Sequence, residues 1–309
     1  MTPSPSVTIL ADFEGVSQVK RWWDVFEWSP DFYNARRALT DDLNAVVRGM
    51  RNGGAGDITI IDGHTWGEQD NVIEDRIEDS VRVIQGPELH HLDLYSWKSD
   101  AAVLVGRHAM AGTKKGFMSH TINLELGVRL RINGRPVGEI GFWALWAGLQ
   151  RIPVILLTGD KAAGREASEL RGAHFASVKE GMNRTRCKCF PKNAALKHLE
   201  KSSREAVENL KSVKPLQLPK KFVTDVSFSS EESAKAALSV PRSSLIRPNI
   251  VQYTAQDYKE CRRFVNAAIA LASCQNTGSL LLGLRRNRAN RLATIKWIRR
   301  QYRRALSGN

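Results

Sequence analysis

Four short runs of apolar, mostly β-branched residues are spaced along this chain, Val7 to Ala11, Ile58 to Ile61, Ala101 to Val105 and Ile152 to Leu157, and Val81 to Ile84 reads as a further strand. Runs of that length without polar alternation read as strands buried on both faces, as in a largely parallel sheet. Parallel strands need long crossovers, and helical patterns lie between the runs. Asp31 to Met50 sets Leu39, Leu43, Val46 and Val47 at helical spacing and stops at Gly53-Gly54. Gly138 to Leu149, Ala162 to Leu170, Lys192 to Lys211 and Asp257 to Ala272 read as further helices. Asn133-Gly134 signals a hairpin between Val128 to Ile132 and Pro136-Val137. Phe222 to Phe228 alternates like an edge or half-buried strand, and Ile250 to Tyr253 reads as the last strand. The expected fold is α/β: a three-layer sandwich with a mostly parallel or mixed central sheet, a smaller C-terminal α+β subdomain and a basic helical tail. The expected divisions are 1–213 for the α/β part, 214–272 after the Pro- and Lys-rich stretch at Lys214 to Lys221, and 273–309 for the tail.

The charge is concentrated at one end. The 309 residues carry a net charge of +14, yet no acidic residue follows Glu260, and Arg285 to Arg304 holds eight Arg and one Lys. The body is therefore only mildly basic, which disfavours nucleic acid as its partner. From Leu292 onward, Leu292, Ile295, Ile298, Tyr302 and Leu306 fall on one helical stripe among the cations, and a helix packed on its own body or oligomer is the reading preferred for it. The four cysteines are Cys187, Cys189, Cys261 and Cys274. Neighbours spaced like Cys187 and Cys189 seldom bridge each other, and two ordinary thiols near a strand end are favoured over a structural zinc. Sparse cysteine and the absence of a charged, apolar leader point to the cytoplasm. The most apolar stretch, Gly141 to Gly159, is broken by Gln150, Arg151 and Pro153, so no transmembrane segment is expected.

Three of the apolar runs stop at side chains that bind metals. The first ends at Asp12-Phe13-Glu14-Gly15, the second at Asp62-Gly63-His64 and another at Gly106-Arg107-His108. In open α/β sheets, sites form beyond the carboxyl ends of the strands, so these residues can converge. Asp12 and Glu14 share one side of an extended chain, and two carboxylates in one pocket repel unless a cation lies between them. Carboxylate with imidazole suits zinc, with manganese or cobalt as chemical substitutes. Asp62 either orients the His64 imidazole or caps the turn.

These segments, together with Met118-Ser119-His120 and Asn133-Gly134-Arg135-Pro136-Val137-Gly138-Glu139, resemble in order and spacing the bacterial zinc D-aminopeptidase family (DppA-like) over about residues 7 to 272. The resemblance implies two zinc ions per chain. Asp12 would bridge them, Glu14 and His108 would complete one site, and His64 and Glu139 the other. His120 matches the catalytic position and is read as an acid/base or oxyanion partner. It also implies a homo-oligomer, a decamer of two stacked pentamers, acting on a small peptide or amide. The chain departs from the family at Trp143, where relatives carry a small amide. Four residues after Glu139 on a helix, the indole shares a face with that carboxylate and would line the substrate pocket, which puts D-dipeptide specificity in question. The expected activity is that of a dinuclear zinc hydrolase of amide bonds. The alternatives are a metal-dependent enzyme that forms or exchanges amide bonds in a biosynthetic pathway, and a protein that binds nucleic acid or an anionic surface through its tail.

Overall fold

The structure is a computed structural model that describes residues 3–65, 69–78 and 80–285. Within these the chain forms two compact units. The first takes the residues up to Ala109, Thr113–Ser119 and Ile140–Gln217, and the second takes Met110–Gly112, His120–Glu139 and the residues from Leu218 on. Residues 120–139 leave the 1–213 block expected from sequence, because the hairpin they contain pairs with strands from the chain's last third.

The first unit is built on a seven-stranded sheet. Its strands are β1 (Val7–Ala11), β2 (Ile58–Asp62), β3 (Val81–Ile84), β4 (Ala101–Arg107), then, beyond a hairpin of the second unit with strands β5 (Arg129–Ile132) and β6 (Arg135–Val137), β7 (Val154–Asp160), β8 (His174–Asn183) and β9 (Arg186–Cys189). The order is β3-β2-β1-β4-β7-β8-β9, parallel throughout except for β9, which runs antiparallel to β8. All residues of β1, β4 and β7 are buried, the apolar runs and the polar residues at the ends of β4 and β7 alike. The chain steps outward from β1 through β2 to β3 and then returns to place β4 on the other side of β1. The crevice between β1 and β4 is therefore the topological switch point of the sheet.

The helices of this unit are α1 (Phe32–Asn52), α2 (Glu139–Leu149), α3 (Gly164–Ala167) and α4 (Lys192–Glu208). α1 and α4 pack closely because Gly49 lies at the crossing: a Cβ there would sit 2.1 Å from the Glu200 carbonyl oxygen. α4 also lies against β7 and β8. The helix read over Ala162 to Leu170 shortens to α3. The β8–β9 hairpin was not anticipated, since His174 to Asn183 mixes Lys179, Glu180 and two small residues into its apolar pattern.

The second unit carries a five-stranded antiparallel sheet in the order β11-β12-β10-β5-β6, completed by β10 (Phe222–Ser227), β11 (Ser244–Arg247) and β12 (Ile250–Ala255). β10 alternates in burial as expected, but it lies inside the sheet between β12 and β5 and is not an edge strand. The β5–β6 turn at Asn133 and Gly134 has φ of 50° and 77°, the paired positive values that a two-residue hairpin needs. α5 (Glu231–Ala237) and α6 (Tyr258–Arg285) cover this sheet, with Phe264 of α6 stacked on Tyr253 of β12 at 4.7 Å. The basic tail expected over 273–309 continues α6 to Arg285, and from residue 286 on it lies outside the described residues. Among the described residues no helix is long and apolar enough to cross a membrane.

Candidate metal centre

The turn after β1 is laid directly on the end of β4. Asp12 N donates to the Val105 carbonyl at 2.9 Å, and Gly15 N donates to the Gly106 carbonyl at 2.7 Å. Neither glycine tolerates a side chain. A Cβ on Gly15 would sit 2.1 Å from the Arg107 carbonyl oxygen, and one on Gly106, whose φ is +71°, would sit 2.1 Å from the Asp12 carbonyl oxygen. That contact sets Asp12 and Glu14 beside His108, in the crevice where a switch-point site forms.

Asp12, Glu14 and His64 are all buried, and each brings one ligand atom within 4.8 Å of the others. His64 Nδ1 lies 3.5 Å from Asp12 Oδ1 and 3.3 Å from Glu14 Oε2. His108 Nε2 lies 3.7 Å from the other oxygen of Asp12, Oδ2. The imidazoles are aimed by backbone. His64 Nε2 meets the Val25 carbonyl at 3.3 Å, and His108 Nδ1 meets the Ala109 carbonyl at 3.1 Å. With its proton on the nitrogen facing that carbonyl, each ring presents its other nitrogen toward the carboxylates. Phe13 packs edge-on against the His64 ring at 5.4 Å.

Asp62 belongs to the support of this loop. Its Oδ1 accepts the His64 backbone N–H at 3.3 Å, and its Oδ2 accepts Asn71 N and Nδ2 at 3.0 and 2.9 Å, while Asn71 Nδ2 also donates to the His64 carbonyl at 3.2 Å. Of the two roles open to Asp62 in the sequence, the structure selects the cap of the turn. Burial pushes its carboxyl up to about 6 against the pull of His64 and the Asn71 bonds.

The electrostatics are those of a site that demands positive charge. Burial alone would raise the Asp12 carboxyl, but the Arg107 guanidinium beside it, with His64 and His108, outweighs burial and holds it well below the usual carboxylate range. Burial would likewise depress His64, yet Glu14 and Asp12 hold it well above the ordinary imidazole value. A divalent cation would supply the same compensation. The donor set, carboxylate oxygens with imidazole nitrogens in a buried pocket, fits zinc.

Two residues that the sequence reading did not single out complete this part. Arg107 is 1% exposed, and it donates from Nη1 to Asp12 Oδ2 at 3.1 Å and from Nη2 to the Leu10 carbonyl at 2.9 Å. Lys179 is fully buried, with Nζ donating to the carbonyls of Glu14 at 3.0 Å and Val19 at 2.6 Å. The one signal in the sequence was Arg107 set directly after a buried run and before His108, while Lys179 lies in a stretch with no clean apolar period; both depart from the rule that Arg and Lys stay at the surface unless paired.

His120 and Glu139 lie in the second unit, 3.7 Å apart between Nε2 and Oε1. Glu139 opens α2 directly after the β5–β6 hairpin, and its Oε1 accepts the Ile122 backbone N–H at 2.7 Å. Met118 and Ile122, two residues to either side of His120, both take positive φ, at 52° and 58°. Such values are costly for a β-branched residue like Ile122 and cluster where a side chain must be held in place. Trp143, on α2 in the first unit, is buried edge-on against Trp146 at 5.8 Å, and its Cζ2 would lie 3.9 Å from a Cβ on Gly63. The indole therefore lies beside the residue that precedes His64. The structure brings Asp12, Glu14, His64 and His108 together in one unit and pairs His120 with Glu139 in the other.

Comparison with known proteins agrees with this chemistry. The family model for M55 peptidases, described as D-aminopeptidase, matches residues 6–267. A D-aminopeptidase of Bacillus subtilis (strain 168) is 29% identical over 255 residues, covering 81% of this chain and 91% of the relative. A solved structure, the Zn-dependent D-aminopeptidase DppA from Bacillus subtilis, described as a self-compartmentalizing protease, superposes with a TM-score of 0.79 at 26% identity over 87% of this chain and 98% of its own.

Proposed function

Because the chain belongs to the M55 peptidase family, the D-aminopeptidases, we propose that it is a zinc-dependent hydrolase that cleaves an amide bond in a small peptide. The observation that carries this reading is the buried meeting of Asp12, Glu14 and His64, with His108 beside Asp12, at the carboxyl ends of β1, β2 and β4. The Bacillus neighbour is described as Zn-dependent, and the donors here have the oxygen and nitrogen chemistry that zinc takes.

Following the family resemblance, we assign Asp12, Glu14 and His108 as the residues that would hold one zinc ion, and Asp12, His64 and Glu139 as those that would hold a second. When bound, the pair supplies Lewis acidity toward the scissile carbonyl and makes water a competent nucleophile near neutral pH. The protein's own groups do the rest. The amide nitrogen is a poor leaving group until protonated, and His120 is the residue we assign to hold and deliver that proton from Nε2. The Ile122 N–H fixes Glu139 Oε1, and the 3.7 Å approach of that oxygen orients the His120 ring. Arg107 keeps Asp12 ionised and in place. Trp143 lines the substrate side next to Gly63 and favours an apolar or aromatic group over a small D-alanyl one. As the neighbour is described as self-compartmentalizing, we assign this chain to a homo-oligomer as well.

The test is metal analysis of the purified chain joined to a screen of D-peptides, L-peptides, β-peptides and simple amides. The expected result is about two zinc ions per chain, with turnover lost on chelation and restored by zinc. His120→Ala should keep its zinc and lose turnover, whereas His64→Ala should lose zinc as well. A chain that stays metal-free in excess zinc, or one whose His120→Ala variant turns over normally, contradicts the reading.

A further inference from the structure

We propose that Cys187 and Cys189 are a redox-active dithiol, converted reversibly to an intrachain disulfide by exchange with a small-molecule disulfide. The inference is independent of the proposed hydrolase activity.

The geometry of the β8–β9 hairpin gathers the groups. Cys189 lies directly across from Lys179, and Cys187 directly across from Gly181. Residues two apart on a strand share a face, and so do direct cross-strand partners, so these four lie on one face of the hairpin. The two sulfurs are 4.0 Å apart. Both thiols point at a single acceptor, the Val19 carbonyl oxygen, at 3.9 Å from Cys187 and 3.7 Å from Cys189. The buried Lys179 ammonium donates to that same oxygen at 2.6 Å. A cation and two thiols thus surround one carbonyl, and Gly181 puts no side chain beside Cys187 to hold the sulfurs apart. Both cysteines are half-buried and within reach of a small reagent, whereas Cys261 is buried. Among the described residues the two sulfurs belong to no group of three metal-ligating side chains, which disfavours a structural zinc.

The environment also separates the roles. The Cys189 thiol is drawn down to about 7 by its hydrogen bond with Cys187, with Lys179 and Lys20 adding to that against the effect of burial. The same sulfur–sulfur hydrogen bond, together with burial, pushes Cys187 up. Directly across from the buried Lys179 ammonium, Cys189 is the attacking thiolate, and Cys187, across from Gly181, is the resolving thiol. In the first step the Cys189 thiolate attacks one sulfur of R–S–S–R, forms Cys189–S–S–R and expels RS⁻. In the second, Cys187 gives up its proton to solvent and attacks Cys189 Sγ, expelling the second RS⁻. The two protein thiols lose two electrons in total, and the small disulfide gains them as two RSH. Along an extended strand, residues two apart have Cα atoms about 6.6 Å apart, near the upper end of the range that disulfides span. A bridge there is easily reopened by a dithiol, which makes it a switchable modification and not a structural staple.

The experiment treats the reduced full-length chain at pH 7 with a nitrobenzoate disulfide and maps the adducts by peptide mass. The expected peptide spanning Cys187 and Cys189 carries no reagent and is lighter by two hydrogens. It should return to its original mass with dithiothreitol, while Cys274, which is exposed, keeps a stable adduct as the internal control. Cys187→Ser should leave a stable mixed disulfide on Cys189. A wild-type chain that retains the reagent on either sulfur, or whose pair stays unmodified while Cys274 is labelled, overturns the proposal, and that measurement needs no variant to fold.

Discussion

Replacing Arg107 with methionine tests whether the group around Asp12 is built for a cation. The substitution keeps the unbranched apolar stem and removes the guanidinium from a fully buried position. Two contacts disappear: the 3.1 Å pair with Asp12 Oδ2 and the 2.9 Å bond to the Leu10 carbonyl. In metal-free protein, Asp12 is left as a buried carboxylate stripped of its largest compensating charge, and breaking a buried pair in this way costs about 3–5 kcal/mol. With zinc bound, the metal supplies the counter-charge. Only the Leu10 bond and some packing are then lost, about 1–2 kcal/mol. The two losses differ by roughly 2–3 kcal/mol. By linkage, zinc should bind Arg107→Met about 30- to 150-fold more tightly than wild type. Urea unfolding of both proteins, with chelator and with saturating zinc, reads this directly. The midpoint should fall on the order of 1 M in chelator and clearly less in zinc. An equal fall under both conditions would mean that a bound metal does not share the charge of Asp12.

Other consequences follow from single residues. Gly15→Ala puts a Cβ 2.1 Å from a backbone oxygen that cannot move aside, so the chain should lose at least about 1–3 kcal/mol of stability together with its zinc, as read by melting and metal content. Burial pushes Asp42 up to about 6 in spite of its two hydrogen bonds from Ser17, so the folded chain holds that proton more tightly than the unfolded chain does. This contribution is greatest below pH 4 and is lost as pH rises through about 6, and Asp42→Asn should remove up to about 3 kcal/mol of the pH dependence of unfolding across that window. Removal of residues 279–309 should change the oligomer mass in light scattering while leaving turnover per chain intact, and an unchanged mass with lost turnover contradicts that expectation. Trp143→Phe, which keeps an aromatic ring against Trp146, should shift the preferred side chain in the peptide screen more than it shifts the maximal rate.

The parts of the fold legible in the sequence are those where one physical signal dominates. Val7–Ala11 and the Ala101 to Val105 run are strands because their apolar side chains are driven out of water together, and Asn133-Gly134 turns because both residues accept positive φ. The candidate ligands were legible because strand ends that stop at Asp, Glu or His are rare in company. Arg107 and Lys179 were not, because a charged residue in a strand reads as exposed until its partner is known, and those partners lie 95 and 165 residues away. The β8–β9 hairpin was hidden for a related reason: its inward residues include Lys179 and Gly181, so its alternation carries no clean apolar period. Asp62 had two equal readings until the Asn71 side chain, nine residues on, was seen to share its carboxylate.

The most direct measurement is anomalous diffraction at the zinc absorption edge from crystals of this chain grown with zinc. The expected result is a pair of zinc peaks about 3.5–4 Å apart, with Asp12 touching both and Glu14, His64, His108 and Glu139 completing the shells. An empty map around Asp12, or zinc held elsewhere on the surface with these five side chains uninvolved, would contradict it.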